Sequence, residues 1–163
     1  MGEHNPRRPG PVIVIRDPVG SEELECDREL IERNLALDDL TPLTQVKWEG
    51  QTLLCRFDTG AGRTQMYEPF YRHFKARIDA ASTSSVRRMG GAGGIRETPV
   101  RVFRKPFLAL GDTSLVMDSV DVLPASIRSN DADNYLDCNI GHDILDSFSG
   151  FVLNFRDMAF VLQ

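Results

Sequence analysis

Residues 41–64, TPLTQVKWEGQTLLCRFDTGAGRT, decide the fold of this chain. Apolar and polar residues alternate on both sides of Glu49 and Gly50, which predicts a β-hairpin that turns at this pair. The second arm of the hairpin runs straight into Asp58. Side chains alternate along a strand, and those that share one face of this arm are Leu53, Cys55 and Phe57. The stretch therefore predicts a carboxylate on a tight turn at the end of a half-buried strand.

The Asp-Thr-Gly sequence at 58–60 suits a reactive acid. Gly60 permits a tight turn and leaves its N–H free to point at the carboxylate. Thr59 supplies a hydroxyl for a hydrogen bond, either local or across an interface. A single ionised Asp acts at best as a general base, whereas amide hydrolysis also needs an acid for the leaving nitrogen. Two carboxylates about 3 Å apart meet this need, since they share one proton and activate a water between them.

The second acid could come from the same chain or from another copy. Asp112 echoes the motif in Gly-Asp-Thr-Ser, but it comes after the glycine-rich stretch at 89–95 and no second such stretch follows it, so we interpret it as the tip of a turn. We expect Asp143 to cap a helix and His142 to be a surface or packing residue. A C2 dimer would supply Asp58 twice, and this is the predicted source.

The rest of the chain is rich in strand patterns. Residues 1–10 predict a flexible lead, residues 11–20 a short strand, and the acidic stretch from Ser21 a short helix. Residues 67–78 carry aromatic residues at helical spacing, which we interpret as core packing. The remaining predictions are a glycine-rich hairpin tip at 89–95, two strands around Gly111-Asp112, a polar loop at 125–134, a turn into a helix at 138–148, and a closing hairpin that turns at Arg156-Asp157. This pattern is typical of an all-β domain closed into a barrel.

The octapeptide FDTGAGRT resembles the active-site turn of retropepsin-like aspartic proteases, in which Asp-Thr-Gly-Ala follows an apolar strand and is followed by two variable positions and Thr. A glycine-rich hairpin, the strand region 108–124, the turn CNIGHDIL at 138–145 and a closing hairpin follow in the order of that family. The resemblance covers about residues 41–163. It implies a single-lobe closed β-barrel with a flap hairpin and one or two short helices. Residues 1–40 are then an N-terminal extension that has no counterpart in the viral enzymes.

The resemblance also implies a function and a set of site residues. The function is that of an aspartic endopeptidase without metal or cofactor, acting as a homodimer on peptide or protein substrates. Asp58 would be the catalytic carboxylate. The supporting loop would be Thr59, Gly60, Ala61 and Thr64. The flap and substrate contacts would be Gly91, Gly93, Gly94 and Ile95, and the packing turn beneath the acid would be Ile140 and Gly141.

Three residues depart from the pattern of this family. Gly62 and Arg63 stand where the viral relatives have acidic residues that help to hold the substrate backbone. Asn139 stands where an apolar residue is more usual. Substrate contacts on this side are therefore expected to differ. The alternative function is a catalytically idle module on the same fold that binds peptides or self-associates.

The net charge, the cysteine spacing and the apolar content argue against several kinds of partner and site. A net charge of -5 argues against nucleic acid as a partner, since phosphate binding needs a basic face. The spacing of Cys26, Cys55 and Cys138 makes a structural zinc site improbable and fits free thiols, with one disulfide left open. No stretch is apolar for long enough to span a membrane or form a signal-peptide core. The localisation stays open between the cytoplasm and an exported chain whose signal has been removed.

Overall fold

The computed structural model describes residues 12–15, 33–91, 94–125 and 135–163. This part of the chain is mostly β-structure with few helices, and its main sheet curls into a half-barrel. The prediction of a mostly β fold is therefore confirmed. The predicted flexible lead, nearly all of the helix predicted from Ser21, and the greater part of the polar loop at 125–134 lie outside the described residues.

Thirteen strands and three short helices make up the described part of the chain. Within the described residues the strands are β1 Val12–Ile15, β2 Leu35–Asp38, β3 Thr41–Trp48, β4 Gln51–Phe57, β5 Gln65–Met66, β6 Ser82–Gly91, β7 Gly94–Arg104, β8 Phe107–Leu110, β9 Thr113–Val116, β10 Ser119–Val122, β11 Cys138–Ile140, β12 Gly150–Asn154 and β13 Ala159–Leu162. The helices there are α1 Glu68–His73, α2 Lys75–Ala81 and α3 His142–Leu145.

Two sheets organise the described strands. The main sheet has the order β6-β7-β10-β5-β11-β4-β3-β8-β9, with β2 paired to β3. In the smaller sheet β1 lies parallel to β12, which pairs with β13 as the predicted closing hairpin. Both sheets thus include strands from before residue 41. Asn34 is also held by the closing hairpin, because its side chain exchanges two hydrogen bonds with the backbone of Phe160.

The predicted β3–β4 hairpin and the predicted glycine-rich hairpin both form in the structure. The β3–β4 turn has positive φ at both Glu49 (46°) and Gly50 (81°), as a tight turn that matches strand twist requires. The glycine-rich hairpin β6–β7 is paired from Ser82–Phe103 to Gly91–Gly94. The region around Gly111 holds three strands instead of the two predicted, because β10 leaves the β8–β9 hairpin to pair with β7 and β5.

The main sheet buries its two faces differently. One face packs on a large apolar core, and the alternation predicted for the second hairpin arm is confirmed, since Leu53, Cys55 and Phe57 are all buried there. Trp48 contacts Phe70 and Phe74 from the helical segment, which confirms that the aromatic stripe is core packing. The other face carries a smaller apolar cluster together with buried polar residues.

A disulfide joins Cys55 on β4 to Cys138 on β11, two residues directly opposite each other in a parallel strand pair. Both side chains are fully buried. The expectation of free thiols is therefore wrong for this pair, and the alternative of one disulfide holds. The wide spacing in sequence concealed a close approach in space, because β11 returns beside β4 after 83 residues. Cys26 lies outside the described residues.

Candidate active site

Asp58 follows β4 directly and is half-buried. Its backbone N–H donates to the Ile140 carbonyl at 3.1 Å, which continues the parallel pairing of β4 with β11 by one more residue. The Gly60 N–H donates to Asp58 Oδ1 at 2.9 Å. The turn is therefore held at both ends, and one carboxylate oxygen has a fixed backbone donor, as a positioned acid needs.

The packing turn at Ile140 and Gly141 lies directly against this loop. The Thr64 hydroxyl accepts a hydrogen bond from the Gly141 N–H at 3.0 Å and donates one to Asp143 Oδ1 at 2.7 Å. The Thr64 N–H donates to the same Asp143 oxygen at 2.8 Å. The expectation that Asp143 caps the helix is wrong, because Asp143 lies inside α3 and its carboxylate is used by Thr64.

Gly141 permits a contact that no other residue would allow. A Cβ atom built on it would lie 2.6 Å from the carbonyl carbon of Arg63 and 2.8 Å from the carbonyl oxygen of Ala61. Real Cβ atoms do not approach backbone atoms so closely. The same Ala61 carbonyl accepts a hydrogen bond from the His142 N–H at 2.8 Å. The loop of the acid and the turn beneath it therefore pack backbone against backbone.

Asn139 brings a second donor to the acid. Its amide Nδ2 lies 3.5 Å from Asp58 Oδ2, on the oxygen that Gly60 leaves open. Asn139 is opposite Gln65 on β5, and Gln65 is in turn opposite Asp121 on β10. Residues directly opposite in neighbouring strands share a face of the sheet. Asn139, Gln65 and Asp121 therefore form a polar row that leads away from Asp58 on the face opposite the main core.

The stem of the β6–β7 hairpin reaches this polar row. Arg87 on β6 donates from both Nε and Nη2 to the carboxylate of Asp121, at 3.0–3.2 Å. Met89 on β6 places its sulfur 3.8 Å from Gln65 Nε2. Arg63, from the loop that follows Asp58, also faces Asp121, with Nε 4.0 Å from Oδ2. The hairpin and the Asp58 loop thus meet at one buried carboxylate.

His142 lies beside the same loop. Its ring Nδ1 is 3.1 Å from Asp146 Oδ1, one helical turn further along. The hydrogen bond to Asp146 raises the pKa of His142, and the Thr59 carbonyl adds a smaller effect in the same direction. With 42% of its side chain exposed, His142 is a surface residue, in agreement with the expectation.

The structure brings together one part of the predicted site. Ala61, Thr64, Ile140 and Gly141 surround the Asp58–Gly60 turn through the hydrogen bonds given above. Thr59 is exposed, and so are Gly94 and Ile95 at the hairpin tip. Gly91 pairs with Gly94, and in the described part of the hairpin these tip residues make no hydrogen bond to the Asp58 loop. Gly93 lies outside the described residues.

Sequence reasoning missed three contacts of the site. Asn139 was noticed only as a departure from a pattern, and its contact with Asp58 depends on the β4–β11 pairing. Asp121 carried a local signal, since a lone carboxylate inside the apolar run SVDVL needs a partner when that strand is buried. Nothing local identified Arg87 as this partner, or Asp143 as the acceptor for Thr64.

The chain matches no known family profile, and no curated protein matches its sequence. Within the described residues there is no group of three or more His, Cys, Asp or Glu residues placed to hold a metal ion. Helices in this part of the chain are all too short or too polar to cross a membrane.

Proposed function

We propose that this chain is one subunit of a homodimeric, retropepsin-like aspartic endopeptidase. The observation that carries the proposal is the Asp58 turn, in which a half-exposed carboxylate follows a buried strand and accepts the Gly60 N–H. The turn rests on Ile140 and Gly141, as the order of motifs in that family implies. In this proposal the barrel is closed and the β6–β7 hairpin is the flap that covers the bound peptide.

Other carboxylates near the turn are already engaged. Asp143 accepts two hydrogen bonds from Thr64, and Asp121 is 2% exposed and paired with Arg87. Asp112 lies in the exposed β8–β9 turn, as the sequence predicted. We therefore propose that the partner acid of Asp58 is Asp58 of a second copy, which is placed across a two-fold axis.

The chemistry then follows from two carboxyl groups that share one proton. The ionised Asp58 takes a proton from a water molecule as that water attacks the peptide carbonyl. The protonated Asp58 of the other copy gives its proton to the carbonyl oxygen, which forms a tetrahedral diol. When the diol collapses, this carboxylate takes the proton back, and the first Asp58 passes the proton from water to the leaving amide nitrogen. Asn139 and Gly60 hold the carboxylate in place during these transfers. A hairpin over the groove would keep bulk water away.

The deciding experiment compares Asp58→Asn with Asp112→Asn. Both variants replace a carboxylate by an amide, but only the first changes the proposed dyad. We expect cleavage of a peptide library by the wild type to be inhibited by pepstatin, abolished in Asp58→Asn and retained in Asp112→Asn. Unchanged cleavage in Asp58→Asn would remove the protease assignment. Peptide binding without any cleavage by the wild type would favour the idle binding module.

Mixing subunits tests the homodimer. When wild-type chain pairs at random with a threefold excess of Asp58→Asn chain, only about one dimer in sixteen has two acids. Activity should then fall to about a quarter of that of the same amount of wild-type chain alone. Activity that stays proportional to the wild-type chain would contradict a shared site.

A further inference from the structure

We propose that Arg63, which lies beside the buried Asp121–Arg87 pair, forms a subsite for an acidic side chain of the peptide bound at Asp58. This inference rests on the proposed function, since it concerns the substrate of the same groove. Its starting point is the uneven charge around Asp121, where one buried carboxylate meets two guanidinium groups.

Arg87 alone satisfies Asp121. The carboxylate accepts three hydrogen bonds from Arg87 at 3.0–3.2 Å, and both of its oxygens are used. Arg63 lies outside hydrogen-bond distance, with Nε 4.0 Å from Asp121 Oδ2, and its Nη2 is 3.5 Å from Ser119 Oγ. Its side chain is 51% exposed. Arg63 thus lies beside Asp121 and Ser119 while about half of its side chain is exposed to solvent.

The polar row indicates how far the charges around Asp121 lie from Asp58. Asn139 contacts Asp58, and Asp121 lies two strands further along the sheet, through Gln65. Neighbouring strands are about 4.8 Å apart, so Asp121, which Arg63 faces, lies about 10 Å from Asn139. An extended peptide advances about 3.3 Å per residue. The acidic side chain would therefore belong to a residue about three positions from the scissile bond.

The β6–β7 hairpin is positively charged, as Arg63 is. Residues 82–104 contain five arginines and one glutamate, in a chain whose net charge is -5. If this hairpin covers the groove, as proposed, its arginines add to the attraction for an acidic peptide. Arginine suits this task, because its planar donors match a carboxylate in a two-point contact. A single strand of nucleic acid would also be attracted by charge, but a position-specific preference for one carboxylate would not follow from phosphate binding.

The test uses the Asp58→Asn protein, so that peptides stay intact. The probes are fluorescent eight-residue peptides with one Glu moved through each position, each matched by the same peptide with Gln. Because each copy of the dimer supplies one Arg63, we expect Glu at about three positions on either side of the scissile bond to strengthen binding about tenfold over Gln, as charge-assisted hydrogen bonds do. This preference should weaken with added salt, fall to about twofold in Arg63→Gln and persist in part in Arg63→Lys.

A matched control is Arg77→Gln. Arg77 is also 51% exposed and carries an ion pair, with Glu49, but Glu49 lies at the start of β4 and Asp58 follows its end. The control should keep the full Glu preference. Thermal unfolding checks the Arg63 variants, which should fold because Asp121 keeps Arg87.

The outcomes separate this inference from the proposed function. Cleavage that depends on Asp58 but shows no Glu preference would overturn the subsite and leave the protease. A Glu preference that needs Arg63, without cleavage by the wild type, would overturn the protease and support the subsite. Equal loss in Arg63→Gln and Arg77→Gln would reduce the effect to net charge and overturn the subsite. Tight binding of a single-stranded oligonucleotide, with no preference among the peptides, would do the same.

Discussion

The hydroxyl of Thr64 donates to Asp143 Oδ1 at 2.7 Å and so joins the loop of Asp58 to the first turn of α3. The two residues are 79 positions apart in the chain. Thr64 is 1% exposed and its hydrogen bond with Gly141 is buried, whereas the two with Asp143 are part-buried. This pair therefore bears on the stability of the fold and on the geometry of the proposed site together.

Thr64→Val should destabilise the protein, because it removes the donor to Asp143 and the acceptor for the Gly141 N–H at almost constant volume. Leaving such buried groups unpaired costs about 1–3 kcal/mol. Thr64→Ser keeps the hydroxyl and is the matched control. Urea denaturation of both variants measures the difference. Equal stability of the Val and Ser variants would contradict the contribution of these hydrogen bonds.

Gly141→Ala should be among the most damaging single-methyl changes in the chain. The new Cβ would meet the backbone of Arg63 and Ala61 at 2.6–2.8 Å, and backbone cannot move aside as a flexible side chain can. Overpacking costs about 1–3 kcal/mol, and we expect the upper part of this range with loss of any Asp58-dependent cleavage. The control is Gly62→Ala, where nothing lies within 4 Å of the new methyl. Thermal unfolding should separate the two variants clearly, and similar melting temperatures would refute the close approach.

Asp137 should make the protein less stable as the pH rises. Burial raises the pKa of Asp137, and this effect outweighs the Leu54 N–H that donates to the carboxylate at 2.9 Å. A carboxyl whose pKa is higher in the folded state stabilises the fold below its unfolded pKa, and the benefit is lost as pH rises through the folded pKa. Asp137→Asn can still accept from Leu54. As the pH rises from about 3 to about 7, the melting temperature of this variant should therefore increase relative to that of the wild type.

Asp118→Asn is the control with the opposite sign. The hydrogen bond from Lys105 lowers the pKa of Asp118, so its contribution is present at neutral pH and is lost as the pH falls through the folded pKa. As the pH rises, the melting temperature of this variant should fall relative to that of the wild type, by a small amount because Asp118 is exposed. The same trend for both variants would contradict the assignment for Asp137.

Thiol titration in denaturant should find one free thiol per chain before reduction and three after it, because Cys55 and Cys138 are joined and the sequence has three cysteines. A Cys26→Ser variant should show none before reduction. Removing both bridged cysteines should lower the free energy of unfolding by up to about 4 kcal/mol, the entropic effect of closing a long loop. Three free thiols in unreduced protein would rule the disulfide out.

Local chemistry in the sequence determined much of the fold. Turn residues and alternation predicted the β3–β4 hairpin, the β8–β9 turn and the closing hairpin, because each involves neighbours a few residues apart. The aromatic spacing predicted the helical segment on the core for the same reason. The Asp-Thr-Gly turn also needs only local contacts, and the Gly60 N–H does meet Asp58.

Only the tertiary structure decided what surrounds Asp58. The parallel pairing of β4 with β11 places Asn139 at the carboxylate and closes the Cys55–Cys138 disulfide. The same fold directs Asp143 to Thr64 and Arg87 to Asp121. A strand register between distant segments is set by burial of the whole sheet face and has no signature in any short window. The acid could therefore be found in the sequence, whereas the residues that hold it and the charge beside it could not.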